Sequence, residues 1–222
     1  ARESVNQVQA TLARIKPDII AVELDRKRMY ALLSGKQEQP GISLIRHIGV
    51  KGFLFALLAY WAQKKLGDAV GMRPGAEMKE AILYTRANNT SLALIDQDIT
   101  LTLNRISRTL TWKEKFNFLA DIINSLLGRE TPITFDLATV PSDDLIRHLI
   151  SRVETRYPSL YKTLIAERNS FMAKKLFTLM QNQPDKKIVA VVGAGHEQGI
   201  MELLREWSAG HVDASFGYEI RL

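Results

Sequence analysis

Most of the chain places apolar residues three or four positions apart, the spacing typical of amphipathic helices. The first such segment carries Val5, Val8, Leu12 and Ile15, and Lys16-Pro17 ends it. The same reasoning predicts helices over residues 26–34, 42–66, 77–86, 99–127 with a break near 109–112, 141–155, 159–182 and 198–207.

Short unbroken apolar runs predict three buried strands, over residues 18–24, 91–95 and 187–192, and residues 216–222 predict a last edge strand. Few, short, apolar strands separated by helices are typical of a parallel or mixed sheet covered by helices. The predicted fold class is therefore α/β (α+β), with a small mixed β-sheet. A strand normally precedes a helix such as the first one, so we expect that the chain begins inside its own fold.

Composition narrows the class of protein without identifying a function. The chain has 222 residues, 46% hydrophobic and 24% charged, which is ordinary for one large globular domain. The absence of cysteine excludes disulfides, cysteine zinc sites and thiol nucleophiles, and fits a reducing compartment. The net charge of +6 is dispersed, so we expect no nucleic-acid binding. No apolar run reaches the roughly 18 residues that a membrane span needs.

Polar side chains follow each of the three predicted strands. In open parallel sheets, sites form at the carboxyl ends of the strands. The candidates there are Glu23 and Asp25 after the first strand, Asp96 and Asp98 after the second, and His196 and Glu197 after the third.

The turn after the third strand, VVGAGHEQG, has three interpretations. Gly193, Gly195 and Gly199 approach a dinucleotide fingerprint, but the last glycine comes one position late. Alternatively, the first two glycines let the chain turn sharply and present His196 as a metal ligand or general base, with Glu23 as its partner. The third interpretation is that His196 only packs or caps, while Glu23 faces solvent.

Several other charged residues have two interpretations each. Asp96 and Asp98 either join a site or cap the next helix. Glu167 and Arg168 are adjacent in a predicted helix, so they point in different directions; either they form a solvated pair or one of them leans into the site. Arg28 could pair with Glu23 or bind an anion. The metalloprotease pattern H-E-x-x-H and the esterase pattern G-x-S-x-G are both missing.

Five stretches resemble the TraB family, in the family's order. This family includes the pheromone-shutdown proteins of conjugative plasmids and, more distantly, the Tiki metalloproteases. The stretches are residues 17–28 (PDIIAVELDRKR), 73–82 (RPGAEMKEAI), 92–105 (LALIDQDITLTLNR), 164–176 (LIAERNSFMAKKL) and 191–200 (VVGAGHEQGI).

The resemblance implies a site and a fold. It implies that His196, in the second of two G-x-x-H motifs, and Glu23 bind a divalent metal ion of unknown identity. It also implies catalytic roles for Glu23, His196, Arg28, Glu167 and Arg168, the last two from an E-R-D/N helix motif. The wider fold group includes the erythromycin-esterase and haem-binding ChaN-like proteins.

The sequence departs from the family pattern at its start. In the family, the first G-x-x-H precedes a stretch that resembles Arg2–Val5, and no such motif stands before it here. We therefore expect a single TraB-like domain over residues 1–222 that lacks its first strand and one metal ligand. For that reason, we expect this chain to be inactive. Helical insertions are expected near 40–70 and 100–160. Many prokaryotic members carry C-terminal membrane spans, which implies a soluble cytoplasmic domain of a membrane-associated protein.

Two functions remain open at this stage. The first is a divalent-metal-dependent peptidase that acts on a peptide signal or on a membrane-associated protein. The second is a non-enzymatic protein that binds and sequesters a peptide. Its motivation is the apolar segment 42–66, which could form a partner groove, a membrane-surface helix or the interface of a homodimer.

Overall fold

The computed structural model describes residues 2–35, 75–126 and 143–210. The predicted helix over 42–66 and the predicted edge strand over 216–222 lie outside these residues. The helices are α1 (Arg2–Ile15), α2 (Arg26–Ser34), α3 (Ala76–Asn88), α4 (Ile99–Thr109), α5 (Trp112–Leu126), α6 (Asp143–Arg156), α7 (Pro158–Tyr161), α8 (Glu167–Asn182) and α9 (Ala194–Ala209). The strands are β1 (Ile19–Val22), β2 (Ser91–Leu94) and β3 (Ile188–Val191).

The three strands form one parallel sheet in the order β2-β1-β3, so the described part of the sheet is parallel where a mixed sheet was predicted. The register aligns the last residue of each strand: Val22 lies opposite Leu94 on one side and Val191 on the other. The carboxyl ends of all three strands therefore meet at one edge. The chain combines this sheet with many helices, as the predicted α/β class requires.

Both faces of the central strand are covered, which explains why all four residues of β1 are buried. Ile20 and Val22 belong to a hydrophobic cluster with α1 and α3. Ala21 points to the opposite face and belongs to a second cluster with α8 and α9. The side chains of a strand alternate between its two faces, so β1 forms the middle of a three-layer core.

The long helix predicted over 159–182 is present but is not regular. A short helix, α7, continues into a π-helical turn over Lys162–Ala166 and then into α8. The wider turn changes the direction in which every later side chain points, and such turns are frequent at functional sites. The prediction for the last helix also needs a correction. It began that helix at residue 198, whereas α9 begins at Ala194 and contains His196 in its first turn.

The packing of α1 can be tested with two leucines. Leu12 is fully buried beneath the sheet, whereas Leu83 on α3 is 41% exposed. We expect Leu12→Ala to lower the free energy of unfolding by about 2–5 kcal/mol, because it removes buried methyl groups and leaves a cavity. Leu83→Ala is the matched control and should change it by less than about 1 kcal/mol. Urea denaturation of both variants measures the difference; equal losses would contradict the packing described here.

Candidate functional site

Three predicted site residues converge at the carboxyl edge of the sheet. Glu23, Asp96 and His196 follow β1, β2 and β3, and their exposed fractions are only 5%, 4% and 6%. The aligned strand ends bring them together, as the sequence predicted. Buried charged groups need partners, so the contacts of each carboxylate define what the site can do.

Glu23 lies against the amino end of α9. Its Oε2 accepts a hydrogen bond of 2.6 Å from the backbone N–H of Gly193. The partial positive charge of a helix amino terminus stabilises a carboxylate in this position.

The sharp turn predicted from the sequence does not explain why Gly193 is a glycine. The φ of Gly193 is −65° and its ψ is 140°, a conformation open to any residue, so no special turn is needed there. Instead, a Cβ on this residue would lie 3.1 Å from Oε2 of Glu23. A side chain at this position would therefore crowd the carboxylate, which glycine avoids.

Arg168 lies at the centre of the buried cluster. Its Nη2 donates to Oε1 of Glu23 and, at 2.7 Å, to Oδ2 of Asp96. Its Nε donates to Oδ1 of Asp96 at 3.2 Å, and its Nη1 donates to the carbonyl of Leu164 at 3.3 Å. Burial lowers the pKa of Arg168, but Asp96 and Glu23 raise it by more, so its pKa lies above the ordinary value. The guanidinium is thus the counter-ion of two buried carboxylates.

His196 contacts three members of the cluster. Its Nε2 lies 2.9 Å from Nη1 of Arg168 and 3.4 Å from Oε1 of Glu23, and its Nδ1 lies 2.6 Å from Oδ1 of Asn169. A guanidinium only donates, so Nε2 accepts and the ring proton is on Nδ1. Burial lowers the pKa of His196, and the charge of Glu23 only partly opposes this. The imidazole is therefore neutral near pH 7.

Arg28 completes the cluster from α2. Its Nη1 donates to Oδ2 of Asp96 at 2.8 Å, and its side chain is partly exposed. Arg28 does not pair with Glu23, the partner that the sequence allowed; its ion pair is with Asp96. Burial raises the pKa of Asp96, but the hydrogen bonds from Arg168 and the charges of both arginines lower it by more, to below its ordinary value.

Two of the other acidic residues at the strand ends, Asp25 and Asp98, cap helices, whereas Glu197 lies in the first turn of α9. Asp25 accepts from the backbone N–H groups of Lys27 and Arg28 at the start of α2. Asp98 caps α4 through the N–H of Thr100 at 2.8 Å and also pairs with Lys27. The capping interpretation therefore holds for Asp98, whereas Asp96 belongs to the cluster.

Glu167 pairs with Arg105 at 2.6 Å rather than with a residue of the buried cluster. Its neighbour Arg168 points into the site. This is the divergence expected of adjacent residues on a helix. A catalytic role for Glu167 stays a prediction.

Two residues of the site were missed in the sequence. Asn169 receives the Nδ1 proton of His196, and Gly199 makes room for the Asn169 amide, because a Cβ on Gly199 would lie 2.2 Å from Nδ2. One signal could have found them. Asn169 directly follows the Glu-Arg pair, and Gly199 stands three residues after His196, on the same face of a helix.

The cluster offers a metal ion two donor atoms. Oε1 of Glu23 and Nε2 of His196 lie 3.4 Å apart. Two ligand atoms at about 2.1 Å from a tetrahedral metal ion lie about 3.4 Å apart, so this pair fits two positions of such a site. Arg168 contacts both atoms, and within residues 2–35, 75–126 and 143–210 no three histidine, aspartate or glutamate side chains are arranged so that they could hold one metal ion.

The buried ion pairs predict a large cost for removing Arg168. Arg168→Met leaves the buried carboxylate of Glu23 without its counter-ion and leaves Asp96 with Arg28 alone, so we expect the free energy of unfolding to fall by about 3–5 kcal/mol. The matched control is Arg105→Met. It breaks an arginine–glutamate pair whose arginine is 57% exposed, and should cost less than about 1 kcal/mol. Urea denaturation measures both values; a small loss for Arg168→Met would contradict the central role of this residue.

The lowered pKa of His196 predicts a pH dependence of stability. The unfolded chain binds a proton at His196 as the pH falls through about 6.5, whereas the folded protein does so only at lower pH. The free energy of unfolding should therefore fall on acidification from pH 7.5 to 5.5, by up to about 1.4 kcal/mol per pH unit from this group. Urea titrations should show a steeper fall for the wild type than for His196→Gln; a steeper fall for the variant would refute the assignment.

No helix within the described residues is both long and apolar enough to cross a membrane. The predicted membrane association stays a prediction.

Comparison with known proteins places the chain in a family. The model of the TraB/PrgY/gumN family matches residues 1–209. A protein of Methanocaldococcus jannaschii described only as uncharacterised is 33% identical over 220 residues, which cover 95% of this chain and 52% of the relative. TraB domain-containing proteins of Bos taurus and Homo sapiens are 25% and 24% identical, over 89% and 93% of this chain and 58% and 60% of their own length. The chain thus spans between half and three fifths of these relatives, and it belongs to the TraB/PrgY/gumN family.

Proposed function

We propose that this domain is a divalent-metal-dependent hydrolase that cleaves peptide bonds, in a peptide signal or a membrane-associated protein. The observation that carries the proposal is the 3.4 Å separation of Oε1 of Glu23 and Nε2 of His196, two buried donors at the carboxyl edge of the sheet. These two residues are the proposed ligands. A catalytic metal site takes about three protein ligands, so the third has to come from outside the described residues.

The chemistry divides between the proposed ion and the side chains of the chain. A divalent metal ion in such a site supplies an activated water and polarises a carbonyl group. Glu23 and His196 supply a carboxylate and a neutral imidazole, the forms in which these groups bind metal. Arg168 has to leave Nε2 of His196 and Oε1 of Glu23 first, and its bonds to Asp96 can hold the guanidinium beside the vacated position. There it can stabilise negative charge on a substrate oxygen.

Arg28 contributes from the exposed side of the cluster. It is bonded to Asp96 through Nη1, while its side chain is 35% exposed. It therefore keeps Asp96 in place when Arg168 shifts. Its partly exposed guanidinium can also reach an anionic group of a substrate.

One observation favours the alternative, a protein that binds a peptide without cleaving it. Arg168 occupies both proposed donor atoms, and both nitrogens of His196 have partners. A cluster whose groups all bond to one another can have a purely structural role, which is to hold α8 and α9 on the sheet. Binding without cleavage would then take place elsewhere on the domain.

Metal content and cleavage decide between the two functions. The complete natural protein would be dialysed against Zn²⁺ or Mn²⁺, and its metal content and its products from a peptide library would be measured by mass spectrometry. We expect Glu23→Gln and His196→Ala to lose bound metal and to lose more activity than the 10–100-fold typical of an outer-shell change. His148→Ala replaces an exposed histidine on α6 and should retain both properties.

The outcomes of this experiment are distinct. Metal that remains bound in both variants would contradict the ligand assignment. Peptides that bind to the wild type and stay intact with every metal tested would refute the hydrolase and support the binding protein.

A further inference from the structure

We propose that Asn169 is a positioning residue that fixes the tautomer of His196, with the proton on Nδ1 and the lone pair of Nε2 facing Glu23. The tautomer itself follows from the geometry. Its importance for metal binding and catalysis rests on the proposed function. Metal-binding histidines usually donate their second ring N–H to an oxygen atom, which fixes the ring and its tautomer.

The contact is short and shielded from water. Nδ1 of His196 lies 2.6 Å from Oδ1 of Asn169, and the two residues are 6% and 7% exposed. An amide oxygen only accepts, so it holds the proton on Nδ1. Arg168 favours the same tautomer from the other side of the ring, because its Nη1 donates to Nε2 at 2.9 Å.

The orientation of the Asn169 amide follows from the same pair of contacts. With the amide turned around, its NH₂ group would face Nδ1, and Nδ1 would have to accept. The ring proton would then be on Nε2, where it would meet the donating Nη1 of Arg168. Only the orientation with Oδ1 towards His196 satisfies all three residues.

Gly199 leaves the space that the Asn169 amide occupies beside His196. A Cβ on Gly199 would lie 2.2 Å from Nδ2 and 3.1 Å from Cγ of Asn169, so the amide fills the space that any other residue would occupy. His196 and Gly199 are three residues apart on α9, so the helix presents the ring and the space for its partner on one face. This close packing explains the third glycine of the turn without a phosphate ligand.

Asn169 matters most when Arg168 moves. The proposed function requires Arg168 to leave Nε2, and Oε1 of Glu23 at 3.4 Å is then an attractive acceptor for a proton on Nε2. A proton there would block the lone pair that a metal ion needs. Among the contacts of His196 described here, only the one with Asn169 then keeps that proton on Nδ1.

The tautomer can be measured directly. This chain has four histidines. The ¹⁵N resonances of His196 in the complete protein can be identified because they are lost in His196→Gln. At a pH above about 8, where imidazole is neutral, we expect the wild type to show a protonated Nδ1 and an unprotonated Nε2. With Arg168 in place, its donation to Nε2 keeps the proton on Nδ1, so the effect of Asn169 is tested in the variant Arg168→Met. In that background, Asn169→Ala should produce a second form with the proton on Nε2, because Glu23 at 3.4 Å then offers the better acceptor.

Two further variants, made in the same Arg168→Met background, keep the test independent of folding. Asn169→Asp retains the accepting oxygen and should retain the wild-type tautomer. Gly199→Ala displaces the amide and should give the same second form as Asn169→Ala. Asn182→Ala changes an exposed asparagine at the end of the same helix and should have no effect.

Activity separates this inference from the proposed function. We expect kcat/KM of the metal-loaded protein to fall by about 10–100-fold in Asn169→Ala and to recover in Asn169→Asp. A wild type with the proton on Nε2, or an unchanged tautomer when Asn169→Ala is added to Arg168→Met, would overturn the role of Asn169 whatever the activity. The expected tautomers without any hydrolysis would support Asn169 and refute the hydrolase.

Discussion

The structure depends on one ionic interaction, the bridge from Arg168 to Glu23 and Asp96. Two carboxylates buried at the ends of neighbouring strands would repel each other and oppose folding unless a counter-ion reached both. Arg168 comes from α8, so the same contact fixes this helix over the carboxyl edge of the sheet. The position of α8 in turn sets Asn169 against α9 and His196.

The strand order explains why these groups can share one arginine. β1 lies between β2 and β3, so Glu23 lies between Asp96 and His196. The amino end of α9 then contributes the N–H of Gly193 to Glu23. The parallel strands end in register, and α9 begins directly after β3. These two features bring the charged side chains together at one point without any long loop.

Rules that act along the chain predicted much of this arrangement. The apolar runs gave the three strands, and the rule for strand ends selected Glu23, Asp96 and His196. The π-helical turn over Lys162–Ala166 was not predicted, because helical spacing indicates a helix there without distinguishing a π-helical turn inside it. That turn decides which of Glu167, Arg168 and Asn169 faces the site. Neither the direction of Arg168 nor the role of Asn169 could therefore be read from spacing alone, and the predicted homodimer and domain extent stay predictions.

The contact that stabilises the cluster also limits what it can do, because Arg168 holds the two atoms that a metal ion would need. A complete loss of its bridge would cost about 3–5 kcal/mol, a large part of the stability of a domain. A partial movement costs less. Nε and Nη2 of Arg168 both bond to Asp96, and Arg28 holds that carboxylate independently. Arg168 can therefore lose its hydrogen bond to Nε2 of His196 for about 1.5–3 kcal/mol, the cost of one charge-assisted hydrogen bond. The loss of its contact with Glu23 adds to that cost. Asp96 is thus the anchor that lets one guanidinium stabilise the cluster and, under the proposed function, still release the two donor atoms.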